Sequence, residues 1–437
     1  MEPTRRLDPL RVPSFARLLS SYTLNELGDS IGLVALAVLV YDGTDAVIPT
    51  AAFFLAARFI PALIAPALTA RMDRIAPARA LPLLYVFEAA AFGLLAWLAS
   101  LHSLPLAPVL ALGLIDGSLA ITARGLTRGA IAGALQPRGM LADGNALVNL
   151  GFAVSAALGS ALGGVLVGEL GATWALTINA LSFLAIALLL VGARSLPAPQ
   201  SDRREPWRER LRDGIGFART SARVRVLLLG QSLALICFTL VVPIEVIYAM
   251  RSLGTTSTGF GALLAAWGGG LLLGSLLFLS IGRRAGLGLV LVSSAAVGLA
   301  YLGLAGAQTL LLACLISIVG GAGNGIQWVA VMTALQKSTP PTYQARVAGL
   351  MESLGAAMPG VGFLVGAAIV ALSSPRAAYA VAGGGVLVLV ALATSQRRAY
   401  ERGAHYEPSS DLDDDRQDHR AALQARVDER RQVIVQD

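Results

Sequence analysis

Twelve apolar runs, each near the ~20 residues a helix needs to cross the hydrocarbon core of a bilayer, dominate the 437-residue chain. A soluble fold has no interior large enough to hide them. Read against Gly, Pro and charged breakers, they fall at 17–41, 48–70, 80–101, 106–130, 144–168 and 173–193. The second set falls at 224–250, 258–281, 287–305, 308–335, 346–371 and 376–396. Only 14% of the residues are charged, against roughly 25% in an ordinary soluble domain. The pattern predicts an all-α integral membrane protein of twelve transmembrane helices. It excludes a soluble enzyme, a disordered chain and a collagen.

Arginine placement orients the spans. Arg5, Arg6, Arg11 and Arg17 precede the first run, Arg71, Arg74 and Arg79 follow the second, and Arg138 follows the fourth. Nine arginines lie from Arg194 to Arg225, Arg283 and Arg284 follow the eighth run, and Lys337 follows the tenth. The alternate loops lack Lys and Arg except for Arg251 and Arg376. Because positive loops stay in the cytoplasm, both termini are expected inside a bacterial inner membrane. The net charge of +7 then reflects loop topology, and no nucleic-acid partner is expected. The first run carries Glu26 and Asp29 and lacks a signal-peptide pattern.

The basic linker SLPAPQSDRREPWRERLRDGIGF divides the runs six and six. The expected organisation is an N-terminal bundle (1–193), a cytoplasmic linker (194–223), a C-terminal bundle (224–396) and a charged cytoplasmic tail (397–437). The linker reads as a surface-lying or cytosolic helix or a solvated connector, and the tail as partly disordered. The halves align weakly at an offset of about 209 residues, with Tyr41 opposite Met250. Such a parallel repeat makes the two halves related bundles.

Three motifs carry a family resemblance. MDRIAPARAL (72–81) is similar to the G-x-L-a-D-R-x-G-R-K-R-x-L signature of the major facilitator superfamily: Asp73, Arg74, Arg79 and Leu81 match, while Thr69 and Ala76 replace the two glycines. GSALGG (159–164) resembles the G-P-x-x-G-G core of that superfamily's exporter motif through Gly159, Gly163 and Gly164, with Ser160 in place of proline. ITARGLTRG, around Arg124, is loosely similar to its intramembrane-arginine motif. The chain looks most like the macrolide-efflux-like and enterobactin-exporter-like branch. The resemblance implies two six-helix bundles that alternate access, and a cytoplasmic gate braced by Asp73, Arg74 and Arg79, with Glu352 facing them across the halves. The three glycines also have a structural reason, since small residues let helix backbones approach in lipid.

Ionisable groups cost about 2.5–3.5 kcal/mol each at the centre of a span and mark pathways or proton relays. Tyr22, Asn25, Glu26 and Asp29 recur at i, i+3, i+4 and i+7, on one stripe of the first helix. Two carboxylates one turn apart disfavour simultaneous ionisation, which is chemistry a proton-coupled carrier needs. Arg58 in the second run is the expected counter-ion, and Asp116 and Arg124 in the fourth complete the cluster. Arg128 reads as a snorkelling anchor, Glu88 as one half of a structural pair, and Glu245 as part of an extracellular gate. Tyr22 and Asn25, with Asn324, Gln327 and Trp328 from the glycine-rich tenth run, are the expected substrate-cavity wall.

The expected function is a proton-coupled secondary transporter exporting lipophilic small molecules or drugs. A dedicated exporter of a siderophore or secondary metabolite, an importer and a non-transporting scaffold are the alternatives. No Walker-type nucleotide motif occurs. The two cysteines lie in apolar runs and the three histidines in a loop and the tail, so neither a cofactor nor a metal is expected. A membrane enzyme would need a nucleophile–base or metal constellation that these positions do not supply. The expected partners are the substrate, protons and the lipid bilayer, with the protein a monomer.

Overall fold

The computed structural model describes residues 7–72, 75–101, 103–191, 196, 207–281 and 286–395. Twelve helices are long and apolar enough to cross a membrane, and the described residues contain no strand. Spans 1 to 6 are Pro13–Thr44, Val47–Ile64, Pro77–Ala99, Leu106–Arg138, Asp143–Leu170 and Ala172–Val191. Spans 7 to 12 are Ala222–Ser252, Ser257–Phe278, Leu287–Gly306, Leu310–Lys337, Gly349–Leu372 and Pro375–Ser395. Several outrun the sequence-based limits. Span 1, at 32 residues and 1.5 Å per residue, is about 48 Å long, so its ends project beyond a ~30 Å core. An even number of crossings returns the chain to the face it left, called the terminal face below, with the distal face opposite.

Proline sets where span 2 departs from α-geometry. The helix runs Val47–Phe54, passes through a π turn at Leu55–Phe59 and resumes at Ile60–Met72. Pro61 has no amide to offer the carbonyl of Ala57 four residues earlier, and the ladder re-forms around that gap as a π turn. The freed Ala57 carbonyl lies against Gly117 of span 4, where a Cβ would collide with it and with Pro61. Span 7 is interrupted likewise at Val242–Ile244, around Pro243, and ends in a second π turn at Tyr248–Ser252.

Each half has an aromatic centre. Phe183 meets Tyr85 at 6.2 Å and Phe92 at 5.4 Å in the first half. In the second, Tyr301 stacks on Trp267 at 5.3 Å and meets Tyr379 at 5.7 Å, and Tyr379 meets Tyr248 at 4.6 Å. Lipid gives helices little hydrophobic reason to associate, so contact relies on close packing of small residues. Span 5 illustrates this on two sides. A Cβ at Gly159 would lie 2.7 Å from the Leu27 carbonyl, and one at Gly163 would lie 3.0 Å from Ile31 Cα, both in span 1. Gly164 instead faces the other half, where a Cβ would lie 2.7 Å from Gly261 Cα and 2.8 Å from the Ser257 carbonyl of span 8.

These cross-half approaches run from the distal ends of spans 5 and 8 to their middle, where a Cβ at Gly268 would lie 2.9 Å from Ala157 N. Nearer the terminal face, Gly151 packs on Thr23 of its own half, and Gly270 and Gly274 pack on Ile318 and Ala322 of theirs. Spans 2 and 11 also meet across the halves, through Phe54 and Phe363 at 6.1 Å and Phe59 against Gly360. The contacts between the halves thus run from the distal ends of these spans to mid-depth.

The linker forms a helix at Trp207–Thr220, held to the start of the span 11 helix by Phe217 stacked on Tyr343 at 4.5 Å. The rest of the basic linker up to 206, save Leu196, and the tail at 397–437 lie outside the described residues.

Candidate functional site

The polar stripe of span 1 faces span 4, which runs antiparallel to it. Arg124 Nη2 donates to Asp29 Oδ2 at 2.7 Å, and Arg124 Nε lies 3.2 Å from Glu26 Oε1. The second contact is an ion pair without hydrogen-bond alignment, for Glu26 Oε1 and Arg124 Nε both lack a hydrogen-bond partner. Asn25 Nδ2 donates to the same Asp29 oxygen at 3.4 Å. One turn toward the terminal face, Arg128 reaches the Tyr22 hydroxyl. The i, i+4 spacing of Arg124 and Arg128 thus matches the i, i+4 spacing of Tyr22 and Glu26 on the facing helix, and this register was readable in the sequence.

Arg58 does not hold the place expected of it. Among the described residues it makes no ion pair within 4.0 Å. It sits on the π turn of span 2, within Coulombic reach of Asp29, Glu26 and Asp116. The π turn and the Gly117 contact bring span 2 against span 4 beside Asp116, while Arg124 projects directly at the carboxylates of span 1. Asp116 keeps Oδ1 buried with no hydrogen-bond partner. Glu88 of span 3 corrects a second expectation, because it is completely buried and neither carboxyl oxygen has a hydrogen-bond partner. It adds a fourth carboxyl to the electrostatic surroundings of Asp116, Asp29 and Arg124.

Several expected cavity residues are packed away. Tyr22 and Asn25 are 2% and 1% exposed and belong to the charge cluster, offering no open wall. Gln327 is buried because its Nε2 donates to Gln231 Oε1 at 2.6 Å, clasping span 10 to span 7. Asn324 is half-buried, and Trp328, one turn on, is 45% exposed. Both lie away from the exposed stripe of Leu311, Leu315 and Val319 on that helix. Replacing Gln231 by Ala strands the Gln327 amide in an apolar surround and is expected to lower thermal stability by about 1 kcal/mol, the usual scale of an interhelical hydrogen bond in a bilayer. The Gln231→Leu, Gln327→Leu double variant should recover most of it, read as melting temperature in detergent.

Of the expected gate residues, Asp73 and Arg74 lie outside the described residues, as does the side chain of Glu352. Arg79 is exposed in the first turn of span 3, its amide bonded to the Ala76 carbonyl at 2.8 Å. Glu245, with Val241 and Tyr248, faces the aromatic centre of the second half near Tyr301 and Tyr379. Among the described residues no group of His, Cys, Asp and Glu is arranged to hold a metal ion.

The transmembrane secretion effector family matches residues 4–435. The chain belongs to this family. Its fold is that of the major facilitator superfamily. It is similar to the nucleoside transporter NupG, at 14% identity with a TM-score of 0.69, over 90% of this chain and 100% of that one. It is likewise similar to a POT family transporter in complex with a thioalcohol-conjugated peptide, at 12% identity and a TM-score of 0.69, over 88% and 96% of the two chains. A bacterial homologue of the human lysosomal transporter Spinster, in an inward-facing and unoccupied conformation, matches at 14% identity and a TM-score of 0.61 over 92% and 100%. At these identities the likeness shows the fold alone. No curated protein matches the chain by sequence. The protein is a multi-pass membrane transporter of the facilitator type and not an enzyme.

Proposed function

We propose that the protein is a proton-coupled exporter of lipophilic small molecules, set in a bacterial inner membrane with both termini cytoplasmic. The observation that carries the coupling is the Arg124 guanidinium shared between Glu26 and Asp29. Four carboxyls, those of Glu26, Asp29, Glu88 and Asp116, surround two deeply placed guanidiniums, Arg58 and Arg124. Ionising all four would leave uncompensated charge within the membrane, which is expensive. A proton and a substrate can therefore compete for the same electrostatic deficit. A proton taken up by Glu26 or Asp29 releases one arm of Arg124, and the tie between spans 1 and 4 changes with it. That is a differential contact between two states, the requirement for coupling.

Direction is favoured by the family's description as secretion effectors and by Gly159, Gly163 and Gly164. The orientation follows the arginine-rich terminal face. In this proposal Asn324 and Trp328 line the side that opens to the cytoplasm. Asp73, Arg74, Arg79 and Glu352 would brace the cytoplasmic side once it closes. The protein works as a monomer in this scheme.

The test uses inverted vesicles with an acidified interior and a pH-sensitive dye, with lipophilic compounds added singly. Compound-induced proton release is expected in the wild type and should be lost in Glu26→Gln and in Asp29→Asn. Release surviving both substitutions would remove the coupling site from span 1 and make Asp116 the next candidate. A response to one compound class only would identify a dedicated exporter. No response to any compound would end the broad-specificity reading.

A further inference from the structure

The two arginines that run against the orienting charge bias, Arg251 and Arg376, both lie on the distal face and both have partners there. Arg376 donates to the Ala305 carbonyl at 2.9 Å and to the Ser252 carbonyl at 3.0 Å. It caps the ends of spans 9 and 7, where unpaired carbonyls and the helix dipole favour a cation, and it stays within its own half. Arg251 crosses to the other half. Its Nε donates to the Tyr41 hydroxyl at 2.7 Å, and its Nη2 donates to both the Asp45 carbonyl and Asp45 Oδ1, each at 2.8 Å. The guanidinium also lies over the Tyr41 ring, 5.5 Å from its centroid. This ion pair joins the two halves.

Local backbone geometry on both sides builds the contact. Arg251 sits on the π turn Tyr248–Ser252, which is closed by Leu253 N–H on Tyr248 O and Thr255 N–H on Ala249 O. Gly254, at φ +63°, supplies the left-handed residue that this ending needs. Asp45 caps span 1 in the left-handed region at φ 43°, ψ 34°, its amide bonded to the Tyr41 carbonyl. It is the non-glycine residue with positive φ among those described, and its carbonyl and carboxylate reach the same Nη2. Strained backbone of this sort persists where surrounding contacts hold it and clusters at switch regions. Beside the contact, a depression of about 940 Å³ on the distal face is lined by Tyr41, Asp42, Glu169, Met250 and Thr255.

We propose that Arg251 is the gate residue of the distal face, latching the end of span 7 to the end of span 1 and releasing Tyr41 and Asp45 each time that face opens. The latch suits a reversible role because water reaches it. The Arg251 and Asp45 side chains are 45% and 81% exposed, whereas the Arg124 partners are 6% and 9% exposed. Exposed pairs are weak and exchange with solvent. The deeper glycine contacts of spans 5 and 8 bring the halves together, and Arg251 fixes their ends. This inference holds whatever the substrate, direction or coupling ion.

Its pH dependence has a definite sign. The groups facing the Asp45 carboxylate are Arg251 from span 7 and Tyr41 from span 1, with Asp42 on the same turn. The Arg251 hydrogen bond and charge hold Asp45 below the usual carboxylate range. A lowered value means that the carboxylate arm of the latch is fully present above the ordinary carboxylate range and is lost only as pH falls through the lowered value. Asp45 therefore keeps its charge, and that arm stays available for each closure, at neutral pH.

The test places spin labels at Ile48→Cys and Leu311→Cys, exposed positions at the distal ends of spans 2 and 10 in opposite halves. Cys237 and Cys314 are replaced by Ser, and the full chain is reconstituted in lipid. Pulsed electron paramagnetic resonance should give a predominantly short distance in the parent. In Arg251→Ala the ratio of long to short distances should rise about fivefold, the scale of one exposed ion pair. Asp45→Asn should give a smaller rise, and Arg251→Asp combined with Asp45→Arg should restore the short distance. Superimposable distributions for the parent and Arg251→Ala, with matching melting temperatures, would overturn the proposal. Should Arg251→Ala fail to fold, Asp45→Asn and Tyr41→Phe decide it, since unchanged distances in both would overturn it equally. The readout is independent of proton release, so its failure would leave the coupling reading standing.

Discussion

Arg124→Met is expected to abolish transport and to lower stability more than any other single substitution in the first half. The side chain is the bridge between Glu26 and Asp29, whose own side chains are 6% and 9% exposed. Removing the cation leaves two carboxylates facing each other in a nearly dry site, and breaking a buried pair from one side costs about 3–5 kcal/mol. Lysine does not replace it. A guanidinium can satisfy two acceptors from its fork, whereas an ammonium is a compact point charge, so Arg124→Lys should retain the fold and lose most transport. The distinguishing variant is the triple change Glu26→Gln, Asp29→Asn, Arg124→Met, which removes all three charges together. Its melting temperature in detergent should return most of the way to wild type while transport stays absent. A transport-competent Arg124→Met protein would refute the assignment of the site.

The second large effect is expected at Gly164, through conformation rather than stability. A methyl group there would lie 2.7 Å from Gly261 Cα, 2.8 Å from the Ser257 carbonyl and 3.1 Å from Gly261 N. All three are backbone atoms of span 8, so no rotamer change relieves the clash and the two halves must separate. Overpacking of this kind costs about 1–3 kcal/mol, roughly five- to 150-fold in an equilibrium. Because the contact exists only with the distal face closed, Gly164→Ala should shift the protein toward its distal-open state. Transport should fall at least tenfold with little change in melting temperature. Gly159→Ala, which meets the Leu27 carbonyl within the same half, should instead lower the melting temperature. Gly269→Ala, with nothing within 4 Å of its Cβ, is the neutral control. Equal effects of Gly164→Ala and Gly269→Ala on distal accessibility would refute this account of the interface.

Arg251 shows how a readable anomaly differs from a readable role. Its breach of the charge alternation was plain from the loop composition, but its partners are Tyr41 and Asp45, about two hundred residues away. The alignment of the halves set Tyr41 opposite Met250, next to the residue that binds it, yet a repeat relation says nothing about contact across the dyad. Arg58 is the converse case. Depth along the span made it a fair partner for Glu26 or Asp29, and rotation about the helix axis decided otherwise. That rotation is fixed by the π turn that Pro61 induces and by the Gly117 approach.

What the sequence determined alone is what the bilayer imposes on any chain: the number of spans, their approximate limits, the helical class and the stripe of polar residues on span 1. These follow from local quantities, since a run of apolar residues must satisfy its backbone within itself to cross a membrane. The tertiary structure decided which charges meet. Arg124 rather than Arg58 faces Glu26 and Asp29, Glu88 has no hydrogen-bond partner among the described residues, Gln327 turns to Gln231, and Arg251 meets Asp45 across the halves. Pairing depends on the azimuth and axial offset of two helices. Close glycine contacts and proline-induced turns set those quantities far from the charges themselves, and a linear pattern of apolar and polar residues carries no record of them.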